Sequence, residues 1–91
     1  MDIKSKANAV HYNWGDSCDG WRLADSDKMS IIHERMPPGT SEKAHYHKAA
    51  RQFFFILVGN ASIEAEGRIF NIKKHEGIEM PPGIRHRFFN S

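Results

Sequence analysis

Cysteine is almost missing from this chain: among 91 residues Cys18 is the only one, which excludes an internal disulfide and points to a reducing compartment. Long apolar runs are missing as well. The longest, Phe53 to Val58, falls far short of the roughly 20 residues that a membrane helix needs. The start, MDIKSKANAV, has no apolar stretch of the kind a signal peptide carries. A cytoplasmic protein without a membrane segment is expected, and on that reading the Asn60-Ala61-Ser62 sequon is a chance match. An excess of one charge is also lacking: thirteen Lys and Arg stand against eleven Asp and Glu, giving +2, and the basic residues are scattered. That balance argues against a nucleic-acid partner. Repeats, low-complexity tracts and linkers are absent. A chain this short buries roughly 60–65% of its unfolded surface, enough for one domain with one modest core.

What is present reads as strands cut by turns. Phe53 to Val58, FFFILV, is short, aromatic and β-branched and runs into Gly59-Asn60, which suits a strand covered on both faces. Ser62 to Ile72 alternates around Glu66-Gly67, a hairpin whose glycine supplies the positive φ of the turn. Met29 to Met36 ends at Pro37-Pro38-Gly39, where two prolines remove amide donors; Gly77 to Met80 ends the same way at Pro81-Pro82-Gly83, and His86 to Asn90 follows as a further strand. Residues 1–28 suit a packed loop or short edge strands.

The histidines gain meaning from this strand reading. Side chains two apart on a strand share a face, so His45 and His47 project together, about 6.5–7 Å apart at Cα, as two imidazoles converging on one ion require. Gln52 reaches the same interior from the next strand, across a turn at Lys48 to Arg51, in phase with Phe54, Ile56 and Val58. His86 shares a face with Phe88 and Asn90, leaving Arg85 and Arg87 on the other. A competing reading makes Ser41 to Gln52 a helix, because Glu42, Lys43, Ala44, Lys48, Ala49 and Ala50 favour one; it would place His45 and His47 on different faces.

Taken together, G-x5-H-x-H-x4-Q-x6-G over Gly39 to Gly59 and P-x-G-x2-H-x3-N over Pro81 to Asn90 resemble the two motifs of the cupin superfamily. The resemblance covers about residues 29 to 90. It implies an all-β fold, a small double-stranded β-helix barrel of jelly-roll type, holding a divalent metal (Zn, Ni, Fe, Cu, Co or Mn) at positions that match His45, His47, Gln52 and His86. Residues 29–91 would form the barrel, and residues 1–28 would pack on it or be exchanged between barrels. Two departures stand out: Gln52 replaces the family's glutamate, and His75 stands where the second motif usually begins with glycine. The chain also stops at Ser91, where members usually continue into one or two more strands, which leaves those places to residues 1–28, to a partner subunit or to further chain.

Gln52 alters the charge of such a site. Three imidazoles and one amide leave a divalent ion at a formal +2, which favours an anionic ligand and a more acidic bound water. As a neutral oxygen donor, Gln52 is either the fourth ligand or the anchor of a metal-bound water. The expected function is a metal-dependent enzyme on a small polar or anionic molecule, of oxygenase, isomerase or lyase type; the alternative is a non-catalytic module that binds or senses a small molecule or metal.

Elsewhere, His11, His33 and His75 suit surface or satisfied positions, Cys18 has no neighbouring base in sequence to make it a nucleophile, and one of Glu34 and Arg35 should face the interior. Lys73, Lys74, Arg85 and Arg87 suit solvated charge. Trp14, Trp21 and the outward row Phe53, Phe55 and Leu57 suit core or interface, and an uncovered row of that kind points to a homodimer.

Overall fold

In the computed structural model, which describes residues 1–91, nine strands and no helix account for the regular structure. The chain divides into two compact units, Met1–Thr40 and Ser41–Ser91.

The first unit is a three-stranded antiparallel meander of β1 (Val10–Trp14), β2 (Cys18–Asp25) and β3 (Ser30–Arg35). Residues 1–28 thus contribute a regular hairpin, turned at Gly15-Asp16-Ser17, where Gly15 and Ser17 both take positive φ. The pairing brings Asn13, Asp19 and Arg35 into one cross-strand row and His11, Trp21 and His33 into the next. Asp19 is the hub of the first: its carboxylate pairs with His11 Nε2 at 2.7 Å and accepts from Asn13 Nδ2 at 3.0 Å and Arg35 at 3.0 Å. The bond from His11, with help from Arg35, holds the Asp19 carboxyl below its ordinary acidity range despite some desolvation. In the second row the Trp21 ring lies 5.2 Å from His11 and 5.7 Å from His33. Glu34 and Arg35 are both exposed, so the expectation that one of them faces inward does not hold; Arg35 is drawn to Asp19. The Tyr12 hydroxyl is pushed up by burial and by the Glu34 carboxylate, against the pull of Arg22. Cys18 is fully buried.

The second unit carries a sheet in the order β4-β9-β6-β7, entered through Ser41, built from β4 (Thr40–Ser41), β9 (His86–Asn90), β6 (Asn60–Ala65) and β7 (Arg68–Lys73). A two-stranded sheet pairs β5 (Gln52–Phe55) with β8 (Gly77–Met80). The hairpin between β6 and β7 turns at Glu66 and Gly67, both at positive φ, as a two-residue turn matched to strand twist demands. Its core forms where alternation is cleanest: Ile63 is fully buried, with Ala65, Ile72, Met80 and Phe88 close behind.

The FFFILV strand is shorter than its composition suggests. It begins at Gln52 and ends at Phe55, although Ile56 still exchanges backbone bonds with His75 and Glu76. Beyond it the chain turns through Gly59 at positive φ, so the alternation stops and Val58 is 87% exposed instead of joining Gln52, Phe54 and Ile56 inside. Nor is the strand covered on both faces: Phe53, Phe55 and Leu57 are exposed, with the Phe55 ring stacked between Phe53 and His75. Arg87 departs from the solvated-charge expectation. It is half-buried, bonded to Ser41 and Glu64, with its guanidinium over the Phe89 ring.

Candidate metal centre

His45 and His86 exchange both backbone hydrogen bonds, His45 N–H to His86 C=O at 2.9 Å and the reverse at 2.8 Å. Such a pair sits directly opposite across two antiparallel segments, so their side chains share one face. The segment around His45 and His47 is extended but makes only this single bridge, and no helix forms there. Extended geometry is enough: His45 and His47 are half-buried while Tyr46 between them is 49% exposed. A second tie comes from the Pro-Pro-Gly turn. Gly83, at φ 81°, donates its N–H to His47 C=O at 2.7 Å, a conformation that favours a residue without Cβ.

These constraints gather three imidazoles. The ring centroids of His45 lie 5.1 Å from His47 and 4.6 Å from His86, and those of His47 and His86 are 6.1 Å apart. One ligand nitrogen from each lies within 4.8 Å of the others. Three atoms that close fit inside a circle with a radius of at most about 2.8 Å, near enough to the 2.0–2.1 Å of a zinc–imidazole bond for small side-chain adjustments to close on an ion.

The hydrogen bonding around the rings fits the same purpose. His45 Nδ1 lies 2.7 Å from Lys43 C=O and His86 Nδ1 lies 2.9 Å from Ile84 C=O. A carbonyl only accepts, so each Nδ1 carries the proton and each Nε2 presents a lone pair. In both cases the carbonyl belongs to the residue two positions earlier. His86 Nε2 and His47 Nε2 are buried and have no hydrogen-bond partner. Buried nitrogens without a partner are costly and rare in folded proteins, and a ligated ion removes that cost.

Gln52 is the third group with such an atom: its Oε1 is buried and unpartnered. On β5 it shares a face with Phe54, whose ring meets His86 edge-on at 5.9 Å and lies against Phe88 at 4.9 Å. Aromatic rings therefore wall one side of the histidine cluster. The remaining histidines lie elsewhere: His11 bonds Asp19, His33 meets Trp21 edge-on, and His75 stacks on Phe55. The backbone carbonyls that fix the ring tautomers carry no signature in the sequence. The Asp19 hub had a faint one, a lone carboxylate placed where hairpin pairing would bring His11 and Asn13 to it.

Comparison with known proteins agrees with this geometry. The family model for the cupin domain matches residues 32–91. A polyketide synthase, CurC, of Streptomyces cyaneus is 31% identical over 55 residues, which cover 60% of this chain and 36% of that protein. A mannose-1-phosphate guanylyltransferase of Salmonella montevideo is 29% identical over 79 residues, 85% of this chain but only 16% of that one. The chain thus spans only a part of the curated relatives' length. Among solved structures, a predicted oxalate decarboxylase of Thermotoga maritima superposes with a TM-score of 0.87 at 17% identity, over 98% of this chain and 87% of that one. The likeness is one of fold and confirms the expected all-β, antiparallel architecture. Both motif segments, the strand framework that holds them and the family match over most of the length lead to one assignment: this chain belongs to the cupin family.

Proposed function

We propose that the chain binds one divalent transition-metal ion through His45, His47 and His86, with Gln52 as fourth ligand or as anchor of a bound water, and acts on a small polar or anionic molecule there. The observation that carries this reading is the pair of buried, unpartnered Nε2 atoms of His47 and His86 in a cluster whose nitrogens lie within 4.8 Å of one another. When bound, the ion would supply Lewis acidity and a chelation point. The chain supplies the rest. Lys43 and Ile84 carbonyls hold two rings in the ligating tautomer, and Phe54 and Phe88 exclude water from one side.

The reaction would be of oxygenase, isomerase or lyase type. A second reading, a non-catalytic binding or sensing module, draws support from the acid–base inventory. Ser41–Ser91 contains no aspartate, and four of its five glutamates are held by other partners: Glu42 by Phe88 N–H, Glu64 by Arg87, Glu76 by Lys73 N–H and Glu79 by Arg51. The fifth, Glu66, is exposed in the hairpin turn. No general base from this unit stands at the histidines. Fold alone does not choose between the readings. The exposed row of Phe53, Phe55 and Leu57 supports a homodimer, and the single cysteine supports a cytoplasmic setting.

Elemental analysis of protein purified without added metal tests the centre. Near-stoichiometric metal that His47→Ala removes is expected; absence of metal in the parent protein, even after metal is added back, would refute the reading. Turnover of a panel of diketones, phenols and small acids, lost in His86→Ala, would decide for the enzyme.

A further inference from the structure

The donor set that Ser41–Ser91 offers at this centre is uncharged. It consists of three neutral imidazoles and, on the reading above, the amide oxygen of Gln52. Two observations bear on this together. Gln52 Oε1 is buried without a hydrogen-bond partner on the face of β5 that reaches His86 through Phe54. The unit's five carboxylates are engaged with Phe88 N–H, Arg87, Lys73 N–H and Arg51 or stand exposed at a turn. Nothing in the unit neutralises an ion held by these side chains, and aromatic rings replace water along one wall, where a charge interacts more strongly than it does in bulk water. An unneutralised cation in such a place must draw its counter-charge from solution.

We infer that Gln52 makes this centre an anion receptor, in which a small organic monoanion, a carboxylate or an enolate, completes the metal site. This inference rests on the metal reading and narrows its ligand class. Gln52 is then a specificity-determining residue with two opposed effects. A carboxylate at position 52 would bind the cation more tightly by adding charge, and by the same charge it would repel the incoming anion. An amide gives up metal affinity and gains anion affinity.

The test uses the full chain loaded with Co2+, whose visible absorption reports its coordination. Acetate stands for the carboxylates, acetylacetone for the enolates, its proton passing to the buffer as the enolate binds, and acetamide for a neutral control. With the parent protein, a saturable spectral change is expected with acetate or acetylacetone, the responding probe naming the class, and none with acetamide. In Gln52→Glu the anion concentration at half-saturation should rise at least tenfold while the Co2+ dissociation constant falls. Gln52→Ala, which removes the amide oxygen without adding charge, should weaken Co2+ binding but raise anion half-saturation less than Gln52→Glu does, since charge and not shape is invoked. Stoichiometric cobalt without any anion response would overturn this inference and leave the metal centre standing. An equal response to acetamide would also overturn it, as would Gln52→Glu titrating like the parent or Gln52→Ala losing the response as fully as Gln52→Glu. Failure to bind cobalt at all would overturn both readings.

Discussion

Histidine is used in two ways in this molecule. In Met1–Thr40, His11 meets a carboxylate: Asp19 gathers His11, Asn13 and Arg35, so that each of the three has a partner there. In Ser41–Ser91, three histidines meet one another, and two of their ring nitrogens are buried with no partner. Composition underlies the contrast. All five aspartates of the chain lie in its first 27 residues, and none occurs after Ser41. A histidine beside an aspartate is satisfied within the protein; a cluster without one is left with lone pairs for something the protein does not itself supply.

Exchanging one member from each side gives the largest expected effect. His86→Ala should lower metal content at least tenfold, while His11→Ala should leave it unchanged, both measured by elemental analysis after identical purification. Equal metal content in the two variants would erase the distinction.

Acid should separate the two regions next. On the proposed reading, metal affinity should weaken in acid, because protons compete with the ion for the ring nitrogens. Asp19 behaves differently. Its folded carboxyl lies below the ordinary value of 3.8, so its contribution to stability is present above that value and is lost as pH falls through the lower, folded one. Metal titrations, and thermal melts of metal-free protein, carried downward from pH 7 should therefore separate metal release from the Asp19-linked loss, the second of which begins only below the ordinary carboxyl value. Asp19→Asn should remove the second step alone. An unchanged acid-side loss in that variant would show that Asp19 is not its source.

The smallest effect is expected at the exposed ion pair of Arg51 and Glu79, 2.9 Å long and more than half exposed on both sides. Arg51→Ala should change stability by no more than about 0.5 kcal/mol in denaturant titration and leave metal binding intact. A larger cost would mean that satisfied surface pairs hold this fold more firmly than the contrast assumes.

The parts legible in the sequence are those with two-sided punctuation. Gly77–Met80 and His86–Asn90 lie either side of Pro81-Pro82-Gly83 and were readable to the residue, and Glu66-Gly67 marked the β6–β7 hairpin because its geometry needs positive φ. The hairpin of Val10–Trp14 and Cys18–Asp25 was not legible. VHYNW alternates, but its partner CDGWRLAD places polar residues on both faces, and a three-residue turn gives a weaker signal than a two-residue Asn-Gly or Asp-Gly one. The end of β5 was hidden for the opposite reason: Ile56, Leu57 and Val58 continue the apolar run after the strand pairing has stopped at Phe55. At the site, the H-x-H spacing and His86 were readable because alternation on extended chain governs which side chains converge. The carbonyls of Lys43 and Ile84 were not, since backbone acceptors are the same for every residue type.

Cys18 gives the first unit a built-in clock. Its thiol is fully buried within the sheet that holds Asp19, and no other cysteine competes for reagent. Alkylation of the native protein must then wait for this strand to open, and where reclosing outpaces the chemistry the labelling rate measures the free energy of that opening. The unmutated chain thus reports, through one sulfur atom, how firmly its acidic half is held while the histidine cluster of the other half is filled or emptied.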